Sequence, residues 1–357
     1  MIGPSKRCRL LSVLSSTLTR NRPYRRARIS STSHSISTSS ISSSLPRAII
    51  FGSCSHQNEE LRYWDTIVTL KPDLVILGGD NVYGGVDLST LRIAYDHMNR
   101  NSSFNNAAKS FPIIAAIDDN DYGNDGDACE ANPNKEMAKT MFLDFFQVPT
   151  NDPRRSKNRG SYTNYQWDQS LQVILLDLRY NKSPFLDTDE PGAAGKECHI
   201  PDYFNRSKTM LGEDQWFWLE TELEKPSHVR LIVSPLQLLA DGHGFECWKM
   251  LPYEKERMIN LLRQATGTTI VLSGDRHASA LYQQDDLIEV TSSSLTHTIE
   301  PGKLDMENDT WRVGDFVYSN NFGMLQFNWE SKALSVTIHD AITGDVIKEW
   351  SVALTKS

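Results

Sequence analysis

The chain changes its pattern after Pro46. Before that point, serines and arginines are interspersed with isolated leucines; after it, short apolar runs alternate with amphipathic stretches. RAIIFGSC (47–54) is an apolar run closed by Gly and Ser, the pattern of a strand buried on both faces. In QNEELRYWDTIVTL (57–70), Leu61, Trp64, Ile67 and Val68 fall at helical spacing, and Lys71-Pro72 ends the pattern. DLVILGGD (73–80) is a second apolar run, closed by glycines. Strand, helix and strand in this short span predict a βαβ unit with parallel strands.

FPIIAAIDD (111–119) predicts a third strand and EMAKTMFLDFFQV (136–148) a helix. SYTNYQWDQSLQVILLDLR (161–179) alternates, turns at Asp168-Gln169 and then becomes apolar, predicting a hairpin that leads into a central strand. GEDQWFWLETELEK (212–225) predicts a helix whose acidic first turn suits the helix dipole. HVRLIVSP (228–235) and TTIVLSGD (268–275) predict strands on either side of a helix at YEKERMINLLRQA (253–265). From LIEVTSSS (287–294) to DVIKEWSVAL (345–354) the pattern is β-rich with a period of two, and no internal repeat or long linker interrupts residues 47–357. The expected fold class is α/β: a two-sheet sandwich flanked by helices, built as one domain over residues 47–357.

Composition changes this picture at one end. The 357 residues are 39% hydrophobic and 23% charged, enough for a large core, and no window approaches the roughly 18–20 apolar residues of a membrane-spanning helix. Five cysteines without a CxxC pair exclude a disulfide framework and a zinc ribbon. The net charge of −8 argues against nucleic acid as a partner, because a phosphate backbone demands a basic face. That charge is unevenly spread. Residues 1–46 hold eight basic residues, fourteen serines and no acid, and the first acidic residue is Glu59. Leu10, Leu11, Leu14 and Leu18 lie at helical spacing behind Lys6, Arg7 and Arg9. This is the composition of an organellar presequence, expected to be disordered over 1–46, and its arginine content favours the mitochondrion over the plastid. A secretory signal fits less well, since serines and a threonine interrupt LLSVLSSTL. Without the eight basic residues, 29 basic stand against 45 acidic residues, a net charge of −16.

The chemistry sits where strands end. Cys54 follows IIFGS, Asp80 follows VILGG, Asp118 and Asp119 follow IIAAI, and Asp275 follows IVLSG with His277 two residues later. Ligands in α/β sheets collect outside the carboxyl ends of strands, so four strand ends bringing these side chains to one edge predict a metal cluster. A single strand-ending Asp is more simply a turn or cap; four together are not. Thiolate, carboxylates and the phenol of Tyr83 make a poor cage for Mg²⁺, whereas a phenolate suits Fe³⁺ and the remaining oxygens a hard divalent ion. Two close cations can activate a bridging water and neutralise a phosphoryl centre. The sequence has no GxSxG, GxxxxGK[ST] or HExxH motif.

At these residues the sequence resembles the alkaline phosphatase D (PhoD) family of metallophosphatases, from Arg47 to the C-terminus. The segments that carry the resemblance are FGSCSHQ (51–57), LGGDNVYGG (77–85), DDNDYGND (118–125), LLDLRY (175–180), LQLLADGHGFECW (236–248), ERM (256–258) and LSGDRH (272–277), with SSSLTH (292–297) and NNFGML (320–325) after them. The resemblance implies a two-sheet metallophosphatase fold, an iron–calcium centre and hydrolysis of phosphomonoesters or phosphodiesters. It implies Cys54, Asp80 and Tyr83 as ferric iron ligands with Asp80 bridging to calcium, and Asn124 and Asp275 completing the shells. His277 would be a ligand or lie just behind one, and Arg179 and Arg276 would contact the phosphate. Two departures stand out. Asn120 occupies the place of the family's usual histidine, so a proton-donor role there is lost or moves to His56 or His243. The stretch after Asp121 is one residue short of the common pattern, which makes Asp125 an alternative to Asn124. The expected function is a metal-dependent phosphate-ester hydrolase; the alternatives are a non-catalytic metal-binding scaffold of the same fold and a phospholipase-like diesterase. Asp187, Asp189 and Glu190 read as solvated charges in a long loop (181–210) suited to a lid or specificity role.

Overall fold

The computed structural model describes residues 44–123, 130–188, 199–305 and 307–354. In chain order its first elements are β1 (Ala48–Gly52), α1 (Tyr63–Leu70), β2 (Leu74–Leu77), α2 (Leu88–Arg100), α3 (Ser102–Ser110), β3 (Ile113–Ala115) and α4 (Lys135–Phe145). There follow β4 (Thr163–Trp167), β5 (Leu171–Leu175), β6 (Leu186–Asp187), β7 (His199–Ile200), α5 (Glu213–Leu223), β8 (Val229–Ser234), α6 (Pro252–Gln264) and β9 (Thr268–Ser273). The chain closes with β10 (Ser279–Gln284), β11 (Leu287–Ser292), β12 (Arg312–Val317), β13 (Asn321–Asn328), β14 (Ala333–Asp340) and β15 (Val346–Ala353).

Two large sheets result. One has the order β15-β14-β13-β1-β2-β3, the other β12-β10-β11-β9-β8-β5-β4. The parallel core strands are β1, β2 and β3 in the first and β5, β8, β9 and β11 in the second. Burial on both faces explains why these strands read as continuous apolar runs. Between the sheets, Ile49 and Phe51 of β1 and Leu74 and Ile76 of β2 share one core with residues of the other sheet. Those residues are Val173 of β5, Val229, Leu231 and Val233 of β8, and Ile270 and Leu272 of β9. The alternate residues Ile50, Val75, Leu77 and Ile113 face a layer holding α1 to α4, and Ile174, Ile232 and Val271 face one holding α5 and α6. The order is therefore helices, sheet, sheet, helices, as the two-sheet α/β expectation requires.

Helix boundaries show what the sequence does locally. Lys71 ends α1 in the left-handed region (φ 50°) just before Pro72. Asp87 caps α2 by accepting from the Ser89 N–H, and Asn101 caps α3 through the Phe104 N–H. The apolar pattern from residue 57 overstates α1, which begins at Tyr63. Gln57 is used elsewhere: its amide exchanges two 2.9 Å hydrogen bonds with the backbone of Tyr83, holding the loop after β2. Residues 1–43 of the expected presequence lie outside the described residues. Leu45 already packs beside the interlayer core, and the Trp329 indole donates to the Pro46 carbonyl at 2.8 Å.

Two glycines let the strand ends close on one another. A Cβ at Gly274 would lie 2.5 Å from Ser53 Oγ, where β9 of one sheet meets β1 of the other. Gly79 has φ +110°, and a Cβ there would lie 2.6 Å from the Asp118 Cβ. Gly85 also has a positive φ (+68°), but nothing lies within 4 Å of its Cβ position. Gly79→Ala therefore combines backbone strain with a steric conflict and is expected to cost at least about 2–3 kcal/mol, against about 1 kcal/mol for Gly85→Ala. Urea denaturation of both variants checks this; equal losses would contradict the close approach of Gly79 to Asp118.

Candidate metal centre

Strand ends deliver the site. Cys54 lies just past β1, Asp80 past β2, Asp118 and Asp119 past β3, and Asp275 and His277 past β9. Cys54 (φ 62°), Asp80 (φ 53°), Asp275 (φ 68°) and His277 (φ 55°) all have left-handed backbones. Such conformations cost non-glycine residues energy and persist only where the surroundings enforce them. The enforcement is visible. The Cys54 and Ser55 N–H groups donate to the carbonyls of Gly79 and Asp80, Leu295 N–H donates to Ser53 O, and His277 N–H donates to Ser293 Oγ.

The side chains converge in two groups that share one residue. Ligand atoms of Cys54, Asp80 and His277 lie within 4.8 Å of one another, and so do those of Asp80, Asp118, Asp119 and Asp275. On the sulfur side, Tyr83 donates its hydroxyl to Asp80 Oδ2 at 2.9 Å, and Cys54 Sγ lies 3.6 Å from the same oxygen. On the carboxylate side sits Arg179, fully buried. Its Nε donates to Asp118 Oδ1 at 2.5 Å and its Nη1 to Glu246 Oε2 at 2.6 Å. Its Nη2 lies 3.5 Å from Asp119 and 3.6 Å from Asp275.

Among the described residues this arrangement is short of positive charge. Five carboxylates, from Asp80, Asp118, Asp119, Asp275 and Glu246, face the buried cations Arg179 and Lys182. Asp80 Oδ1 and Asp118 Oδ2 are buried without a hydrogen-bond partner, a costly condition that a cation would relieve. Burial, then the neighbouring Asp119 and Cys54, push Asp80 well above the usual carboxylate range. Burial does the same to Asp118 despite the opposing pull of Arg179. Asp275 is raised to about 7 by burial, also against Arg179, and burial lifts the Cys54 thiol to about 11. Burial raises Glu246 too, but Arg179 and Lys182 outweigh it and bring it to about 2. The residues fit two cations of different character: sulfur, phenol and imidazole donors suit a transition metal, and the all-carboxylate side suits a hard divalent ion.

The sequence profile of PhoD-like phosphatases matches residues 84–337, more than half of the chain. The chain belongs to the PhoD-like phosphatase family. No curated protein sequence matches it. Among solved structures it is similar to PhoD, with 14% identity and a TM-score of 0.68 over 87% of this chain and 72% of that one. A purple acid phosphatase from yellow lupin (Lupinus luteus) seeds shares 12% identity with a TM-score of 0.58, over 87% and 54% of the two chains. A dimetal phosphatase from Danio rerio shares 11% identity with a TM-score of 0.55, over 87% and 100%. These likenesses establish the metallophosphatase fold.

Within this PhoD-like site, Cys54, Asp80, Tyr83, Asp275 and His277 lie together, whereas Asn124 and its alternative Asp125 fall outside the described residues. Arg276 points to Glu307, 2.5 Å from Nη2, and lies over the Phe245 ring. His243 is buried, with Nε2 3.1 Å from Gln237 Oε1 and Nδ1 accepting from the Phe245 N–H. His56 stacks on Tyr83 with 5.0 Å between ring centres and is half-buried. Asn120, between Asp119 and Asp121 in the chain, is buried. Sequence reasoning placed Asp118 and Asp119 at the cluster but missed Glu246, within the GFECW segment, and His297. The His297 Nε2 lies 3.2 Å from His277 Nε2 and 3.5 Å from the Tyr83 hydroxyl. Burial and the two neighbouring histidines lower His297 to about 3. Its place in SSSLTH, in the loop after β11, was the one signal available.

The carboxylates give the metal-free chain a defined pH dependence. Burial raises Asp121 to about 7 from an ordinary 3.8, although the N–H groups of Asp118 and Asn81 oppose the shift. Asp275 reaches a similar value. Folding therefore favours the protonated forms. That contribution is complete below pH 3.8 and is lost as pH rises through about 7. Thermal unfolding of chelator-treated protein is expected to show higher stability at pH 5 than at pH 8, and added Ca²⁺ to raise the midpoint more at pH 8. A midpoint insensitive to both would contradict the charge imbalance described above.

Proposed function

We propose that the chain is a metal-dependent hydrolase of phosphate esters with a binuclear iron–calcium centre. The observation that carries this reading is Asp80, common to a sulfur-containing donor group and an all-carboxylate group. Cys54, Asp80, Tyr83 and His277 would hold ferric iron; Asp80, Asp118, Asp119 and Asp275 would hold calcium, with Asn124 as the resemblance implies. When bound, the pair would supply an activated water and the Lewis acidity that phosphorus needs.

The chain's own residues do the rest. Arg179 holds Asp118 and Glu246 through two of its nitrogens, which fixes the carboxylates against their mutual repulsion. Its Nη2 lies buried 3.5 Å from Asp119 and 3.6 Å from Asp275, and a phosphate oxygen that reached this edge would meet a planar, charged donor. Arg276, which the resemblance implies contacts the phosphate, is paired with Glu307 and lies over the Phe245 ring. Asn120 carries no titratable proton, and both ring nitrogens of His243 are engaged. His56, stacked on Tyr83 with its Nδ1 accepting from the Asn58 N–H, would be the alternative proton donor, although burial lowers its hold on a proton. The net charge of −16 over residues 47–357 repels an anionic ester, so capture depends on the local field of the metals and Arg179. Residues 1–46 are proposed as an organellar presequence, mitochondrial rather than plastid, and 47–357 as the catalytic domain. Among the described residues no helix is long and apolar enough to cross a membrane.

Asn120 also favours a second reading, a metal-binding scaffold without turnover. Purified chain loaded with iron and calcium and assayed on nitrophenyl phosphate and its bis-ester separates the two. Turnover of either substrate supports the enzyme, and the ratio of rates reports mono- or diester preference. Asp80→Asn removes the shared ligand and is expected to lower kcat/KM by more than the roughly 10–100-fold typical of residues behind the ligands. Tyr83→Phe is expected to abolish a tyrosinate-to-iron absorption band. Metal-replete protein that turns over neither ester, even as Asn120→His, would sink the enzymatic reading in favour of the scaffold.

A further inference from the structure

We propose that His297 is a positioning residue that fixes which nitrogen of His277 carries the proton and which keeps the lone pair for a metal. This role rests on the iron site proposed above, and its geometry starts one residue earlier, at Thr296. The Thr296 hydroxyl has three contacts: it accepts from the His56 N–H at 2.8 Å, donates to the Cys54 carbonyl at 3.1 Å, and lies 3.0 Å from His297 Nδ1. A hydroxyl has one proton and two lone pairs. With the proton on Cys54 O and one lone pair taken by His56, the remaining lone pair faces Nδ1, which must then bear a hydrogen. The opposite assignment would leave two oxygens 3.1 Å apart with no proton between them.

A neutral imidazole protonated at Nδ1 has a bare Nε2. That nitrogen lies 3.2 Å from His277 Nε2 and 3.5 Å from the Tyr83 hydroxyl, whose proton is directed to Asp80 Oδ2. His277 is then the donor, through Nε2–H, and in the neutral form that binds a metal its lone pair resides on Nδ1. Every close contact along the path from Cys54 O through Thr296 and His297 to His277 thereby holds one proton. The His277 and His297 rings meet edge to face, 4.3 Å between centres, and His297 itself is outside the group formed by Cys54, Asp80 and His277. It therefore acts behind the ligand, as residues that orient metal-binding imidazoles do. The loop after β11 that supplies Thr296 and His297 also supplies Ser293, which accepts the His277 N–H and lies 3.1 Å from Cys54 Sγ. One segment thus sets both the backbone and the ring of His277.

The test uses the full chain labelled with ¹⁵N-histidine, free of metal, in long-range ¹H–¹⁵N correlation spectra, followed by iron titration. Wild type is expected to show His297 protonated at Nδ1 and His277 at Nε2. In His297→Gln the amide oxygen replaces the bare nitrogen, so His277 keeps its tautomer and iron affinity stays within a few-fold. In His297→Phe, His277 is expected to exchange between tautomers and iron affinity to fall about 10–100-fold. A wild-type His277 protonated at Nδ1, or the same tautomer in the Phe variant, would overturn the proposal. Equal affinity losses in the Gln and Phe variants would do so as well, since they would indicate packing alone. The tautomers are read without metal. A wild type that takes up no iron would therefore remove the iron assignment, while the spectra still decide the role of His297.

Discussion

The structure depends on a concentration of buried negative charge that the described residues alone do not neutralise. Asp80, Asp118, Asp119, Asp275 and Glu246 meet at the edge where the two sheets come together, with Arg179 among them and Lys182 behind Glu246. Buried carboxylates of this density are destabilising unless paired or bound to cations. Arg179 fixes their geometry, and the unpartnered oxygens of Asp80 and Asp118 define where further positive charge belongs.

The fold supports this concentration by backbone means. Parallel strands from both sheets end at the same edge, and four site residues turn immediately into left-handed conformations. Gly79 and Gly274 allow the turns to touch, and hydrogen bonds across them link Cys54 to Gly79 and Leu295 to Ser53. The apolar layer between the sheets makes the base rigid, so strain at the rim is borne by a well-packed core. Asp121 contributes from within: it accepts from Asn81 and Tyr95 and from the Asp118 N–H, holding the loops after β2 and β3 together.

Much of this was legible in the sequence because buried parallel strands leave uninterrupted apolar runs. IIFG, LVIL and TTIVLS could be recognised as strands, and the polar residues after them as one edge. The α2 and α3 helices were less legible. Leu91, Ala94, Tyr95 and Met98 form a buried stripe in α2, but the exposed Ile93 blurs it, and α3 is short and polar. Within the site, the ligand-bearing residues stood out because they follow strands directly. Glu246 and His297 did not, because each reaches the cluster from a loop whose course no local pattern fixes. Arg179 was legible as a site residue, but its burial among four carboxylates emerges only from tertiary structure.

Asp80 is common to two unlike donor groups. X-ray absorption at the iron edge of the iron- and calcium-loaded chain tests the proposed pair of cations most directly. One sulfur neighbour from Cys54, lost in Cys54→Ser, is expected, together with a second cation at about 3.5–4 Å. Iron surrounded by oxygen and nitrogen alone, or with no cation at that distance, would contradict it.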